Sequence, residues 1–181
     1  MAATIALQPV RPVITASGED VVVSFPEASG QTFKAGEPVY LASGGLTICA
    51  ANPAKILGFA ADNASGTAGT LLGVYLAVPT TIFAGNLVTS GNANGNNVSP
   101  AGAVTAQSLL GLSYGLNIDG TNHITTVDTS DTGSSKERVV AFAMVNPYGQ
   151  SDPAQGILGD TAARVLFTVM PAYCQLTMLS S

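Results

Sequence analysis

One stretch of this chain occurs twice, and the repeat limits what the chain can fold into. The first copy reads PVYLASGGLTI over residues 38–48, ILGFA over 56–60 and LGVYLAVP over 72–79. The second reads YGLNIDGTNHIT over 114–125, VVAFA over 139–143 and RVLFTVMP over 164–171. Each copy is a strand, a glycine-bearing turn and a return strand, then a strand carrying Phe-Ala, then a strand stopped by proline. Leu72, Val74, Leu76 and Val78 alternate with Gly73, Tyr75 and Ala77, the period of a half-buried strand. Long helical periodicity is absent. The pattern predicts an all-β protein with very little helix, a small β-barrel or β-sandwich built from two similar β-modules. Phe59 and Phe142, at matching positions of the two copies, are predicted to lie in the core.

The organisation along the chain follows from the same signals. Residues 1–18 read as an extended N-terminal arm, because Pro9 and Pro12 exclude a helix interior. Such an arm either covers its own domain or docks on another subunit. A first β-module spans 19–90, opening on a β-branched strand at 19–25 closed by Pro26. A Gly/Asn-rich linker occupies 91–102, and a second β-module spans 103–181; the two modules either stand apart or form a single compact domain. A short helix is expected at 103–110 and a last strand at 173–179. The second copy adds a polar loop at 129–136 and a longer one at 146–160.

Composition narrows the function classes. Of 181 residues, 46% are hydrophobic and only 9% are charged, against about 25% charged in ordinary soluble domains. A net charge of −5 with six basic residues supplies no basic stripe for nucleic acid or an anionic membrane, so neither is expected as a partner. A nearly uncharged surface suits a protein packed in many copies, where like-charge repulsion would accumulate. The first 17 residues lack the apolar core of a secretory signal, which places the protein, as an expectation, in a cytoplasm.

The chemistry-bearing residues are few. Cys49 and Cys174 lack the spacing of a metal site and are expected as buried apolar residues. The single histidine, His123, follows Asp119 and Gly120, a hairpin-turn pair, and is expected on an exposed hairpin flank. Its replacement by alanine is then expected to leave stability nearly unchanged. Carboxylates such as Asp62, Asp119 and Asp128 sit beside turn residues that already account for them. No nucleophile elbow, phosphate loop or calcium loop is present. The expectation is a protein that is not an enzyme and holds no cofactor or metal.

The phrase TFKAGEPVYL at residues 32–41, followed by ILGFA at 56–60, resembles the small β-domain of tailed-bacteriophage head decoration, or capsid cement, proteins. YGL at 114–116, VDTS at 127–130, RVV at 138–140 and ARVLF at 163–167 resemble the C-terminal part of larger phage head proteins of this kind. The resemblance implies a structural virion protein on the outer capsid surface, bridging capsomers, with the major capsid protein as partner. It further implies a homo-oligomer, a trimer before a dimer, engaged through an N-terminal arm and assembled in the host cytoplasm. The arm residues Ile5, Leu7, Pro9, Val10, Arg11, Pro12 and Val13 are the candidate capsid or subunit contacts. The second copy and the loop at 146–160 depart from the shortest family members and leave the oligomeric state open. The alternative is a phage head-fibre or tail-associated module that recognises a host surface or glycan through its tyrosines.

Overall fold

The computed structural model describes residues 7–14, 22–89, 106–120, 123–146, 156, 158–160 and 162–176. The fold is all-β: among these residues the helical elements are two three-residue 3₁₀ turns, Gln107–Leu109 and Pro171–Tyr173. The strands are β1 (Arg11–Ile14), β2 (Val22–Pro26), β3 (Pro38–Ala42), β4 (Gly45–Ile48), β5 (Gly58–Ala60) and β6 (Leu71–Leu76). They continue with β7 (Ile82–Val88), β8 (Leu112–Asp119), β9 (Ile124–Asp128), β10 (Val139–Met144) and β11 (Arg164–Val169).

The repeat is visible in the topology. The first sheet runs β2-β6-β5-β3-β4, and the second contains β7-β11-β10-β8-β9. In both, the first strand of the module lies beside its fifth, the fifth beside the fourth, the fourth beside the second and the second beside the third. Each of these pairings is antiparallel. The second module closes into a five-stranded barrel through a parallel pairing of β7 with β9. In the first, the matching contact is a single parallel bridge between Glu27, just past β2, and Leu46 of β4.

That closing bridge has local causes. Gly45 sits at φ 118°, and a Cβ there would lie 2.6 Å from the Pro26 carbonyl oxygen and 2.9 Å from the Ala28 nitrogen. Only glycine allows the two backbones to approach so closely. Glu27 itself is fully buried. Its carboxylate accepts hydrogen bonds from the Ser65 hydroxyl at 2.5 Å, the Gly66 N–H at 2.7 Å and the Ser65 N–H at 3.1 Å. Burial alone would raise the Glu27 pKa, but these donors outweigh it and hold the carboxyl below its ordinary 4.5.

β7 was the element hardest to place from sequence. It lies within residues 19–90, yet it hydrogen-bonds into the second sheet, so the first module ends after β6 and the 91–102 stretch is not the structural divide. β11 pairs along one edge of β7; β1 and then β9 succeed one another along the other. The strand is covered on both faces, so that its residues from Phe83 to Val88 are buried in succession rather than in alternation. Phe83 packs against Phe59 of β5 with ring centroids 4.7 Å apart, and against Phe167 of β11 at 5.8 Å. Phe59, Phe83 and Phe167 are fully buried in one continuous cluster that spans both modules. A smaller cluster of Phe33, Val39, Leu46, Leu57, Ala60, Leu72 and Val74 fills the first module.

Three further expectations are corrected. Phe142 is 39% exposed, because the β10–β11 register slips between Ala141 and Ala143 and leaves Phe142 as the extra residue of a β-bulge. The 103–110 helix reduces to the 3₁₀ turn at Gln107–Leu109, residues 103–105 lying outside the described residues. Of the last strand expected at 173–179, the described residues 173–176 form only an isolated bridge, from Cys174 to Ile56 of the first module, residues 177–179 lying outside the described residues.

Two outcomes test this account. Because the core is shared, Phe83→Ala should destabilise the whole molecule by about 3–5 kcal/mol, and calorimetry should show a single unfolding transition; two separate transitions would mean that the barrels fold independently. The pKa of Glu27 is lowered on folding, so its carboxylate contribution is fully present above pH 4.5 and is lost as pH falls through the lower folded value. Denaturant unfolding should therefore show a wild-type advantage over Glu27→Gln at neutral pH that narrows below pH 4.5. A constant gap would remove the carboxylate from that role.

Candidate contact surface

The N-terminal arm is the functional candidate, and its described residues, 7–14, lie on the rest of the same chain. β1 runs antiparallel to β7, with Arg11 opposite Ala84 and Pro12 opposite Phe83. Proline lacks a backbone donor and is tolerated on such an edge strand. The register shifts between Pro12 and Ile14, and the intervening Val13 is 50% exposed.

The arm is held by two buried polar side chains of the second barrel. Asn86 accepts the Gln8 N–H at 2.9 Å and donates to the Ala162 carbonyl at 2.7 Å. The Arg164 guanidinium donates to the Gln8 side-chain oxygen at 2.7 Å, the Ala84 carbonyl at 2.7 Å and the Pro9 carbonyl at 3.2 Å. On the other side the arm presses on the first barrel: a Cβ on Gly36 would lie 2.7 Å from the Pro9 side chain.

The seven candidate residues therefore divide. Val10 is buried in the shared core and is not a surface residue. Pro9, Arg11 and Val13 are exposed, Leu7 and Pro12 are half-buried, and Ile5 lies outside the described residues. A second exposed apolar group lies on the second barrel. Leu112, 50% exposed, is paired with Ala141, the neighbour of the bulged Phe142.

Polar contacts that the sequence reading missed lock the two modules. The Asn52 side-chain oxygen accepts the Leu116 N–H at 2.9 Å, and the Asn52 N–H donates to the Leu116 carbonyl at 3.3 Å. The Asn52 amide also donates to Asp131. Gly115 has to be glycine here, because a Cβ would collide with Asn52 and Asp131. Lys136, 2.7 Å from Asp131, holds that carboxyl below its ordinary value; burial opposes the shift and the Asn52 amide adds to it. The buried Arg138 donates to the carbonyls of Asn52 and Ser135, at 2.8 and 2.9 Å, and to that of Pro53, while its guanidinium lies 4.2 Å from the Tyr173 ring centroid. In the opposite direction, the Gln175 side chain brackets Leu41 by accepting from its N–H at 2.8 Å and donating to its carbonyl at 2.7 Å.

His123 belongs to this joint, which corrects its expected place on an exposed flank. Its side chain is 27% exposed, and its Nδ1 stands 3.1 Å from Oε2 of the fully buried Glu37. The same carboxylate oxygen accepts the Lys34 N–H at 2.6 Å. The sequence signal for three of these residues is one of context: Asn86 and Arg164 lie within, and Arg138 directly before, apolar strand runs.

The cysteines match the reading made of them. Both are buried and neither forms a disulfide, and burial pushes the Cys49 thiol up to about 12 and the Cys174 thiol up to about 11. Among the described residues no three His, Cys, Asp or Glu side chains stand together as a metal-binding group, and no helix is long and apolar enough to cross a membrane. Comparison with protein families, with curated proteins and with solved structures finds no match to this chain.

The joint predicts an effect where the sequence alone predicts none. His123→Ala removes one partner from a buried carboxylate and should cost about 1–3 kcal/mol in denaturant unfolding. A variant as stable as the wild type would show that the Glu37 contact contributes nothing.

Proposed function

We propose that this protein is a structural virion component, a decoration or cement protein that binds the outer surface of a phage capsid and bridges capsomers. The observation that carries the proposal is the build of the molecule. Two five-stranded modules of one strand order, the second a closed barrel, are locked into a single frame, and exposed apolar side chains stand at Val13 on the arm and at Leu112 and Phe142 on the second module. A stiff frame with sparse charge and a few outward apolar side chains is suited to repeated contacts on a lattice, because little conformational entropy is lost on docking. The resemblance of residues 32–41 and 56–60 to capsid cement domains supports the same reading. In it the partner is the major capsid protein, the protein acts by binding rather than catalysis, and it assembles as a homo-oligomer, a trimer before a dimer.

The test is co-sedimentation with empty capsids of the cognate phage, paired with capsid melting. Stoichiometric binding and a raised capsid melting temperature are expected, since a ligand of the assembled state stabilises it. Val13→Asp and the double variant Leu112→Asp, Phe142→Asp should each weaken binding by tenfold or more, about 1.4 kcal/mol, while leaving the fold intact. Truncation of the arm is a poor substitute, because Val10 is part of the core. Absence of capsid binding by the wild type, with binding to glycans instead, would overturn the proposal.

A further inference from the structure

Where the arm meets the second barrel, two arginines converge on one cavity. It is an open cleft of about 160 Å³ lined by Gln8, Arg11, Pro12 and Val13 of the arm and by Val145 and Arg164 of the barrel. These are two of only six basic residues in a chain with eleven acidic ones. Arg164 is 3% exposed, and three of its contacts are to neutral oxygens, those of Gln8, Pro9 and Ala84. Its Nε–H is buried and has no acceptor. Among the described residues no carboxylate stands within 4.0 Å of Arg164 or Arg11.

A buried guanidinium without a counter-charge is costly, and a second cation beside it adds to the cost. Burial first, and then the like charge of Arg11, lower the Arg164 pKa below its ordinary value. Eleven carboxylates were available to the sequence, yet the described part of the chain sets none of them here. Neutral oxygens take three of the five N–H donors of Arg164, and among the described residues no carboxylate completes the set. Pro12, Val13 and Val145 make the rest of the lining apolar, which fits a carboxylate on a short hydrocarbon stem better than a fully hydrated phosphate. The volume admits a group of that size and excludes a nucleotide.

We propose that this cavity is a carboxylate-binding site, in which the Arg164 and Arg11 guanidiniums together receive one carboxylate group. Arg11 belongs to β1 and Arg164 to β11, and both strands pair with β7, so the bound anion bridges arm and barrel and fastens the arm in place. The carboxylate comes either from a free short-chain acid or from an acidic side chain of a docked protein. Nothing in this depends on a capsid partner.

The probes are ¹³C-carboxyl acetate and a blocked glutamate, N-acetyl-glutamate methylamide, added to the full-length protein with sodium chloride holding ionic strength constant. Acetate should show saturable, protein-dependent line broadening and should raise the melting temperature, while chloride alone does neither. Arg11→Ala, whose side chain is exposed and whose fold is checked by circular dichroism, should weaken acetate binding by about tenfold, the loss of one charge-assisted hydrogen bond. Arg11→Lys should recover part of it. Binding of both probes assigns the site to an acidic side chain as well as to free acids; binding of acetate alone assigns it to free acids. The proposal is overturned if neither probe binds beyond the chloride control, or if Arg11→Ala binds acetate as the wild type does.

Discussion

The molecule depends on the packing of Phe59 against Phe83 and Phe167. A five-stranded barrel of about 70 residues buries too little surface to be very stable alone. Here the strand that opens the second barrel, β7, also lays Phe83 on β5 of the first, so each module completes its core with the other's side chains. Aromatic rings of this size contribute both area and geometric preference. The centroid separations of 4.7, 5.9 and 5.8 Å describe a closed triangle rather than a chance contact. The arm at Val10, the loop at Cys49 and the C-terminal Cys174 all close over the same cluster.

Apolar burial is non-directional and would allow the barrels to rotate on one another. Hydrogen bonds are directional, and those at the joint run both ways between modules. Asn52 and Pro53 of the first module are held by Leu116 and Arg138 of the second, and Leu41 and Ile56 of the first are held by Gln175 and Tyr173. Most of these partners are backbone amides and carbonyls. That choice suits a chain with 9% charged residues, since carbonyls can surround a guanidinium such as Arg138 without adding acidic side chains to the surface.

The sequence was informative about local structure and silent about the joint. The hairpin of β3 and β4 and its counterpart of β8 and β9, the Phe-Ala strands and the proline-stopped strands pair in the same order in both modules, as their shared turn chemistry and period implied. Residues 82–88 carry no strand signal, because a strand buried on both faces loses the alternation that marks a half-buried one. Phe142 was misread because a bulge inverts a side chain without changing the composition of the run. The anchors Asn86 and Arg164 were legible only as polar groups out of place in apolar strands, a signal that gives importance but not partner. His123 was taken for a turn residue because Glu37, its partner, is 86 positions away.

The fold also changes how the arm can act. An unpaired N-terminal strand invites addition to a neighbour's sheet. In this chain β9 covers only one end of its edge of β7, and β1 fills the remainder, so the backbone pairing that the arm can offer on that side is made internally. Its outer edge is then interrupted by Pro12 and by the register shift at Val13, two devices that discourage a further strand from joining. Among its described residues the arm presents outward the side chains of Pro9, Arg11 and Val13, on a strand pinned by Asn86 and Arg164. Recognition through this surface therefore rests on side-chain shape and on the Arg11 charge, with the ordering of the backbone already achieved in the free protein.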